Sequence, residues 1–353
     1  MRVELFPFQK KTVSELRIKM AEALGSYHRT RTPQVVSLQA PTGSGKTIIM
    51  AALVEDVFYG TDCFAEQPEA IFVWLSDSPQ LNEQSKRKFD LQADRIRLNQ
   101  CVTVEDESFD QEMLEDGHIY FLNTQKLGIA GNLGKKSDTR QYTIWQTLEN
   151  TVREKSDRLY FLIDEAHRGM QGREAGKATS IMQRFIKGKP SLKLPPMPVV
   201  VGISATAERF NALVGDTTST LHKCIITANE VRASGLLKDR IVVVYPDDPK
   251  RNNELALLQA ATDEWKHKCD HWYQYSYEQH YAQVNPIFLI QVLAGSGKSV
   301  SDTNLDDVLA KIEERLSIRF RTHEVVHTFG SISTLTINGL PVERVEPSNI
   351  NED

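Results

Sequence analysis

The chain has 353 residues, 40% of them hydrophobic, so the expectation is two domains, or one and part of another. Its 42 Lys and Arg against 47 Asp and Glu give a net charge of -5 and a pI near 6.0, which exclude a wholly basic nucleic-acid wrapper and leave room for a local basic groove. Four separated cysteines with no C-x-x-C pair, no apolar signal core after Met1 and no apolar run of the roughly 18 residues that cross a bilayer read as a reduced, soluble cytoplasmic protein.

Residues 5–25 place Leu5, Phe8, Val13, Leu16, Met20 and Leu24 at three-, four- and five-residue spacing, as in a helix packed on one face. A polar connection from Ser26 to Pro33 leads to Val35, Val36 and Leu38, which predict a strand. The stretch Gln39-Ala40-Pro41-Thr42-Gly43-Ser44-Gly45-Lys46-Thr47 follows, and then a helical pattern to about Phe58. In a strand, glycine-rich loop and helix of this kind, backbone N–H groups turn onto the α and β phosphates of a nucleotide. Lys46 reaches the β and γ phosphates and the Thr47 hydroxyl ligates Mg²⁺. The positive end of the helix dipole acts on the same phosphates. Ala40 stands where the G-x-x-x-x-G-K-[ST] pattern begins with glycine, and is small enough to sit there. A second loop, Ala294-Gly295-Ser296-Gly297-Lys298-Ser299, has Val292 at the equivalent position, and a β-branched residue restricts the backbone that must curl around a phosphate. It reads as a polar loop after the apolar run Ile287 to Ile290.

Ala70 to Leu75 is a wholly apolar run, as in a strand covered on both faces of a parallel sheet. Ser76-Asp77-Ser78-Pro79 ends it, and a helix with Leu81, Gln84 and the basic cluster Lys86-Arg87-Lys88 follows. Further strands are expected at Cys101–Val104, His118–Leu122, Leu159–Ile163 and Pro198–Ile203. Their alternation with helical or loop stretches predicts an α/β fold with a doubly wound parallel sheet. Gly131 to Lys136 reads as an exposed loop and Lys187 to Pro198, with four prolines, as a spacer. Beyond Thr227 come a strand at Ile241–Tyr245 and a long helix from Asn253 to about Tyr281, with Leu258, Thr262, Trp265, Cys269 and Trp272 along one face. His267, Cys269 and His271 lack a further ligand nearby, so a packed or solvated helix is preferred to a zinc site. Asn285 to Val292 starts a new strand, followed by a helix from Leu305 to Arg315, and a second α/β unit begins near residue 286.

Two further motifs follow strands. Asp164-Glu165-Ala166-His167 comes directly after Leu159–Ile163, where an NTPase needs Asp164 to hold Mg²⁺ and Glu165 to orient or deprotonate the attacking water. Ser204-Ala205-Thr206 ends the strand at 198–203 and offers two hydroxyls to the carboxylate segment.

The three motifs, in this order and each after a strand, resemble motifs I, II and III of superfamily 2 DEAD/DEAH-type helicases. Asp164 to Arg168, Val231 to Lys238, Asn285 to Val292 and Val345 to Asn351 are similar to the restriction (Res) subunit of type III restriction-modification enzymes, and the resemblance runs from Phe8 to the last residue. It implies a RecA-like, three-layer αβα P-loop NTPase domain over residues 1–226 that carries motifs I to III. A connecting strand and long helix would occupy 227–285, and the start of a second RecA-like domain 286–353. It implies ATP and Mg²⁺ as cofactors, with Gln9 on adenine, Thr42, Gly43, Ser44, Gly45, Lys46 and Thr47 on the phosphates, and Thr47 and Asp164 on the metal. Lys46, Asp164 and Glu165 would be catalytic, and His167, Ser204 and Thr206 would couple hydrolysis to DNA movement. Pro79, Leu81 and Gln84, and Asn123-Thr124-Gln125, resemble DNA-contacting motifs, with helix initiation and a polar turn as the alternatives. Duplex DNA and a methyltransferase subunit are the implied partners. No Q-x-x-G-R-x-x-R-type motif follows residue 286; Arg315, Arg319, Arg321 and Arg344 lie outside such a motif, and the expectation is an N-terminal piece of a longer protein. A nucleotide-gated DNA-binding or scaffold module without turnover, and an RNA helicase, stay open as alternatives.

Overall fold

The computed structural model describes residues 1–127, 133–136, 140–164, 181–205, 220–237, 254–280, 288, 290, 305–317, 326–328, 335–337 and 340–342. It divides into two compact units, Met1–Ile241 and Val242–Asp353.

The first unit is built on a seven-stranded sheet. In chain order its elements are α1 (Pro7–Thr30), β1 (Gln34–Gln39), α2 (Lys46–Tyr59), β2 (Ile71–Ser76), α3 (Pro79–Gln92), β3 (Cys101–Thr103), β4 (Ile119–Asn123), α4 (Ile144–Lys155), β5 (Leu159–Ile163), β6 (Val199–Ser204), β7 (Thr220–Ile225) and α5 (Ala228–Ala233). Residues 181–187 are also helical. The strand order is β3-β4-β2-β5-β6-β1-β7 and all pairings are parallel. With flanking helices this is the α/β, RecA-like fold.

The strand sequences explain the layering. In β1, β2, β4, β5 and β6 every residue is buried, because both faces of the sheet are covered. Alternate side chains enter two separate cores. Phe72 and Trp74 of β2, with Tyr160 and Leu162 of β5, join Leu16, Met20, Ile49, Leu53 and Phe89 from α1, α2 and α3. Ile71, Val73 and Leu75, with Phe161 and Ile163, join Ile144, Trp145 and Leu148 of α4 and Met182 and Phe185 of the helical residues 181–187.

Four differences from the expected elements have local causes. Helix α1 runs five residues past Gly25, since Tyr27 continues its buried stripe, and it closes only at Arg31, a left-handed residue (φ 56°) whose N–H bonds the Tyr27 carbonyl at 2.7 Å. Strand β7 lies on β1 at the sheet edge, where Thr220-Leu221-His222-Lys223 shows no apolar run. Lys187 to Pro198 contains a 3₁₀ turn at Pro190–Leu192 closed by pairing of Lys189 with Leu194. Finally, Trp272 is 39% exposed, and the inner stripe of the long helix passes through Thr262 to Ser276 instead.

In the second unit that helix, α6 (Glu254–Gln279), packs on α7 (Leu305–Leu316), with Thr262 and Ile312 buried and the Arg315 guanidinium held by both oxygens of Asp263 at 2.6 and 2.7 Å. Strands β8 (Val326–Thr328), β9 (Leu335–Ile337) and β10 (Leu340–Val342) form an antiparallel sheet in the order β10-β9-β8. The strand expected at 241–245 lies outside the described residues, as does nearly all of 285–299, including the second glycine-rich loop. No helix among the described residues is long and apolar enough to cross a membrane.

Candidate functional site

Strand β6 lies between β1 and β5, so its register brings the three motifs to one edge. Gln39 pairs with Ser204 and Ile163 with Gly202, and the loops that leave β1 and β5 begin on either side of the end of β6. The Ala40 N–H donates to the Ser204 carbonyl at 3.0 Å, tying the start of the phosphate loop to the third motif. The Ala40 methyl is buried in the core under α1 and α2, so a small apolar residue fits where the usual pattern has glycine.

Backbone geometry makes the loop a cradle. Gly43 (φ 88°) and Gly45 (φ 79°) occupy the left-handed region, and Gly45 caps α2, receiving the N–H groups of Ile48 and Ile49 on its carbonyl at 2.9 and 3.0 Å. A Cβ at Gly45 would stand 2.6 Å from Gln9 Nε2. Gln9, buried in the first turn of α1, donates from that nitrogen to the Ser44 carbonyl at 3.0 Å and accepts the Phe6 N–H on Oε1 at 3.0 Å. The residue that the resemblance assigns to adenine thus also braces the phosphate loop. A Cβ at Gly43 would stand 3.4 Å from Leu237 of the segment after α5, an ordinary van der Waals contact.

Thr42 and Gly43 are exposed, Gly45 and Thr47 half-buried, Ser44 and Lys46 buried. The Ser44 hydroxyl is a buried polar atom without a hydrogen-bond partner among the described residues. Asp164 extends the β2–β5 pairing by one bond, N–H to the Leu75 carbonyl at 2.8 Å, and its carboxylate faces the Ser85 hydroxyl of α3 at 3.5 Å. A glycine cradle with an orphaned hydroxyl, beside a lysine, a threonine hydroxyl and a buried carboxylate, is a donor set that fits a nucleotide phosphate with Mg²⁺, a cation that uses one or two protein oxygens and phosphate for the rest. No group of three or more His, Cys, Asp or Glu placed to hold a metal ion occurs among the described residues.

Glu165, His167 and Thr206 lie outside the described residues. Pro79 opens α3 behind the Ser78 N-cap, whose hydroxyl accepts the Leu81 N–H, while Gln84 is exposed. Asn123, the last residue of β4, and Thr124, the first of a 3₁₀ turn, are buried: Asn123 Oδ1 accepts the Lys126 N–H at 3.2 Å and the Thr124 hydroxyl donates to the Asp77 carbonyl at 3.4 Å, leaving Gln125 exposed. His267 and His271 stack edge to face on α6, and His271 Nδ1 lies 2.9 Å from the His267 carbonyl. Sequence reasoning missed Ser85, since a lone serine in the middle of a helix carries no signal until the fold brings Asp164 beside it.

Fold and site together define a P-loop ATPase domain with the RecA-like sheet of helicases. The family model described as "Type III restriction enzyme, res subunit" matches residues 2–209, more than half the chain, and the chain belongs to that family. It is thereby a superfamily 2 helicase-like ATPase motor module. No curated protein matches it. Among solved structures it is similar to S. cerevisiae Dbp5 bound to Gle1 and IP6 (17% identity, 64% of this chain and 51% of that one, TM-score 0.31). The Sulfolobus solfataricus SWI2/SNF2 ATPase core in complex with dsDNA (15%, 77% and 54%, TM-score 0.35) and the DUF1998 helicase MrfA bound to DNA (17%, 64% and 30%, TM-score 0.34) are also similar. The chain spans about half or less of the length of these structures.

Proposed function

We propose that this chain is the ATP-binding part of a DNA helicase or translocase similar to the type III Res subunit, coupling ATP hydrolysis to movement along duplex DNA. The observation that carries the reading is the convergence of the Gly43 to Thr47 loop, Asp164 and Ser204 on one edge of β1, β5 and β6. Lys46 and the loop N–H groups bind the phosphates, Thr42 and Ser44 line the cradle, and Gln9 braces it from the adenine side. Thr47 and Asp164 would hold Mg²⁺, which when bound neutralises charge on the phosphate oxygens. Glu165 orients the attacking water, and His167, Ser204 and Thr206 report the state of the site to the DNA-bound surface. In this reading residues 1–226 are the ATP-binding domain, 227–285 the connection and 286–353 the beginning of a second RecA-like domain. A methyltransferase subunit is its protein partner, in the cytoplasm.

Calorimetry of Mg-ATP binding tests the assignment. Lys46→Ala is expected to weaken binding at least tenfold, Glu165→Gln to retain binding while removing phosphate release, and Lys298→Ala to leave affinity unchanged. Equal ATP affinity for Lys46→Ala and the parent would sink the phosphate-loop reading.

A further inference from the structure

Helix α3 turns a polar stripe inward. Asn82, Ser85 and Phe89 are its buried residues, at helical spacing, while Glu83, Gln84 and Arg87 face outward. A buried hydroxyl is costly unless bonded. The buried threonines Thr12, Thr147, Thr151 and Thr262 of other helices solve this locally, each donating to the carbonyl four residues earlier. Ser85, 4% exposed, instead reaches across 79 positions of sequence to Oδ2 of Asp164, itself 7% exposed. One turn earlier Asn82 Oδ1 accepts the Ser76 hydroxyl at 3.2 Å, pinning the same face of α3 to the end of β2. Since Asp164 N–H is bonded to Leu75 in that strand, helix, strand and carboxylate form one braced unit.

We propose that Ser85 is a positioning residue for the Asp164 carboxylate, holding it in the orientation that receives the divalent cation and linking it to the helix whose outer face carries Gln84 and Arg87. The inference rests on the nucleotide reading above. At 3.5 Å the contact is at the long end for a hydroxyl–carboxylate hydrogen bond. Carboxylates that ligate metals are themselves hydrogen-bonded, and losing that outer bond costs about 10- to 100-fold in metal affinity or activity.

The experiment measures Mn²⁺ affinity by electron paramagnetic resonance in the presence of a non-hydrolysable ATP analogue, with binding of the analogue in excess chelator as the companion measurement. Residues 1–353 are used throughout. Ser85→Ala is expected to lower Mn²⁺ affinity by about 10-fold or more without changing metal-free analogue binding, and Ser85→Thr to restore most of it. Should alanine fail to fold, Ser85→Cys keeps the volume, weakens the donor and is expected to fall between parent and alanine. Parent-like Mn²⁺ affinity in Ser85→Ala, or an equal loss of metal-free binding, would overturn the inference. A parent that binds the analogue neither with nor without Mn²⁺ would overturn the nucleotide reading and this one with it.

Discussion

Gly45 shows how sharply single residues constrain the loop. An alanine there meets two obstacles, a left-handed backbone (φ 79°) and Gln9 Nε2 at 2.6 Å from the new Cβ. The backbone alone costs about 1–2 kcal/mol, so Gly45→Ala is expected to unfold at lower urea concentration and to bind ATP more weakly. An unchanged midpoint would show that the loop relaxes freely. Behind the loop, Glu55 of α2 is buried and accepts the Met1 amine at 2.5 Å and the N–H groups of Asp94 and Arg95 at 2.7 and 2.9 Å. Burial opposes its ionisation, but these donors outweigh burial and hold the carboxyl below its ordinary value near 4.5. A depressed carboxyl contributes stability above the unfolded value and loses it as pH falls through the folded one. Glu55→Gln is therefore expected to be less stable than the parent at neutral pH, and the gap to close as pH drops below about 4.5. Urea melts at stepped pH check this, and a gap that persists in acid would contradict the account. Lys46, Thr47 and Asp164 stand out in the sequence because phosphate and metal chemistry restrict residue type and spacing. The Gln9 brace and the Ser85 bond do not, because they join positions 35 and 79 residues apart whose proximity only the strand order creates.

Among the strands, those buried on both faces are the most readable in advance, and the short edge strand β3 (Cys101–Thr103) is read from its Cys101–Val104 run as well. Strands β1, β2, β5 and β6 appear as short apolar runs for the same reason that every one of their residues is covered. Strand β7 escaped because an edge strand pairs on one side and tolerates His222 and Lys223. Helix α1 was legible by its stripe, although Gly25 and Ser26 resemble a stop; the burial of Tyr27 overrides that local signal. Leu16 lies fully buried in the middle of the stripe, against the core shared with β1 and α2. Leu16→Ala is expected to cost roughly 2–5 kcal/mol, lowering the calorimetric melting temperature of the chain. Because α1 carries Gln9, nucleotide affinity is expected to fall with it. A melting temperature equal to the parent's would show that α1 contributes little to this core.

The acidic balance of the whole molecule, -5, means that a polyanion has to be met by a local surface. Within the basic cluster of α3 the three charges are not equivalent. Lys86 is held by Asp90 at 2.6 Å on the next turn, whereas Arg87 points outward and makes no ion pair among the described residues. Lys88 is half-buried and likewise makes none among them. If α3 meets DNA, as its resemblance to a DNA-contacting motif implies, Arg87 and Lys88 neutralise phosphates and Lys86 chiefly stabilises the helix. Each phosphate contact releases counterions, so the logarithm of affinity falls with the logarithm of salt at a slope near 0.9 per contact. Arg87→Ala is expected to weaken duplex binding uniformly across sequences and to flatten that slope by about 1, and Lys88→Ala to do the same. Lys86→Ala is expected to change the slope much less and thermal stability more. Fluorescence anisotropy over a salt series, with two unrelated duplexes, separates these outcomes. A slope identical to the parent's in both Arg87→Ala and Lys88→Ala would remove α3 from the DNA surface, leaving Ser85 and Asn82 as braces of the nucleotide site with no nucleic acid on the other side of the helix.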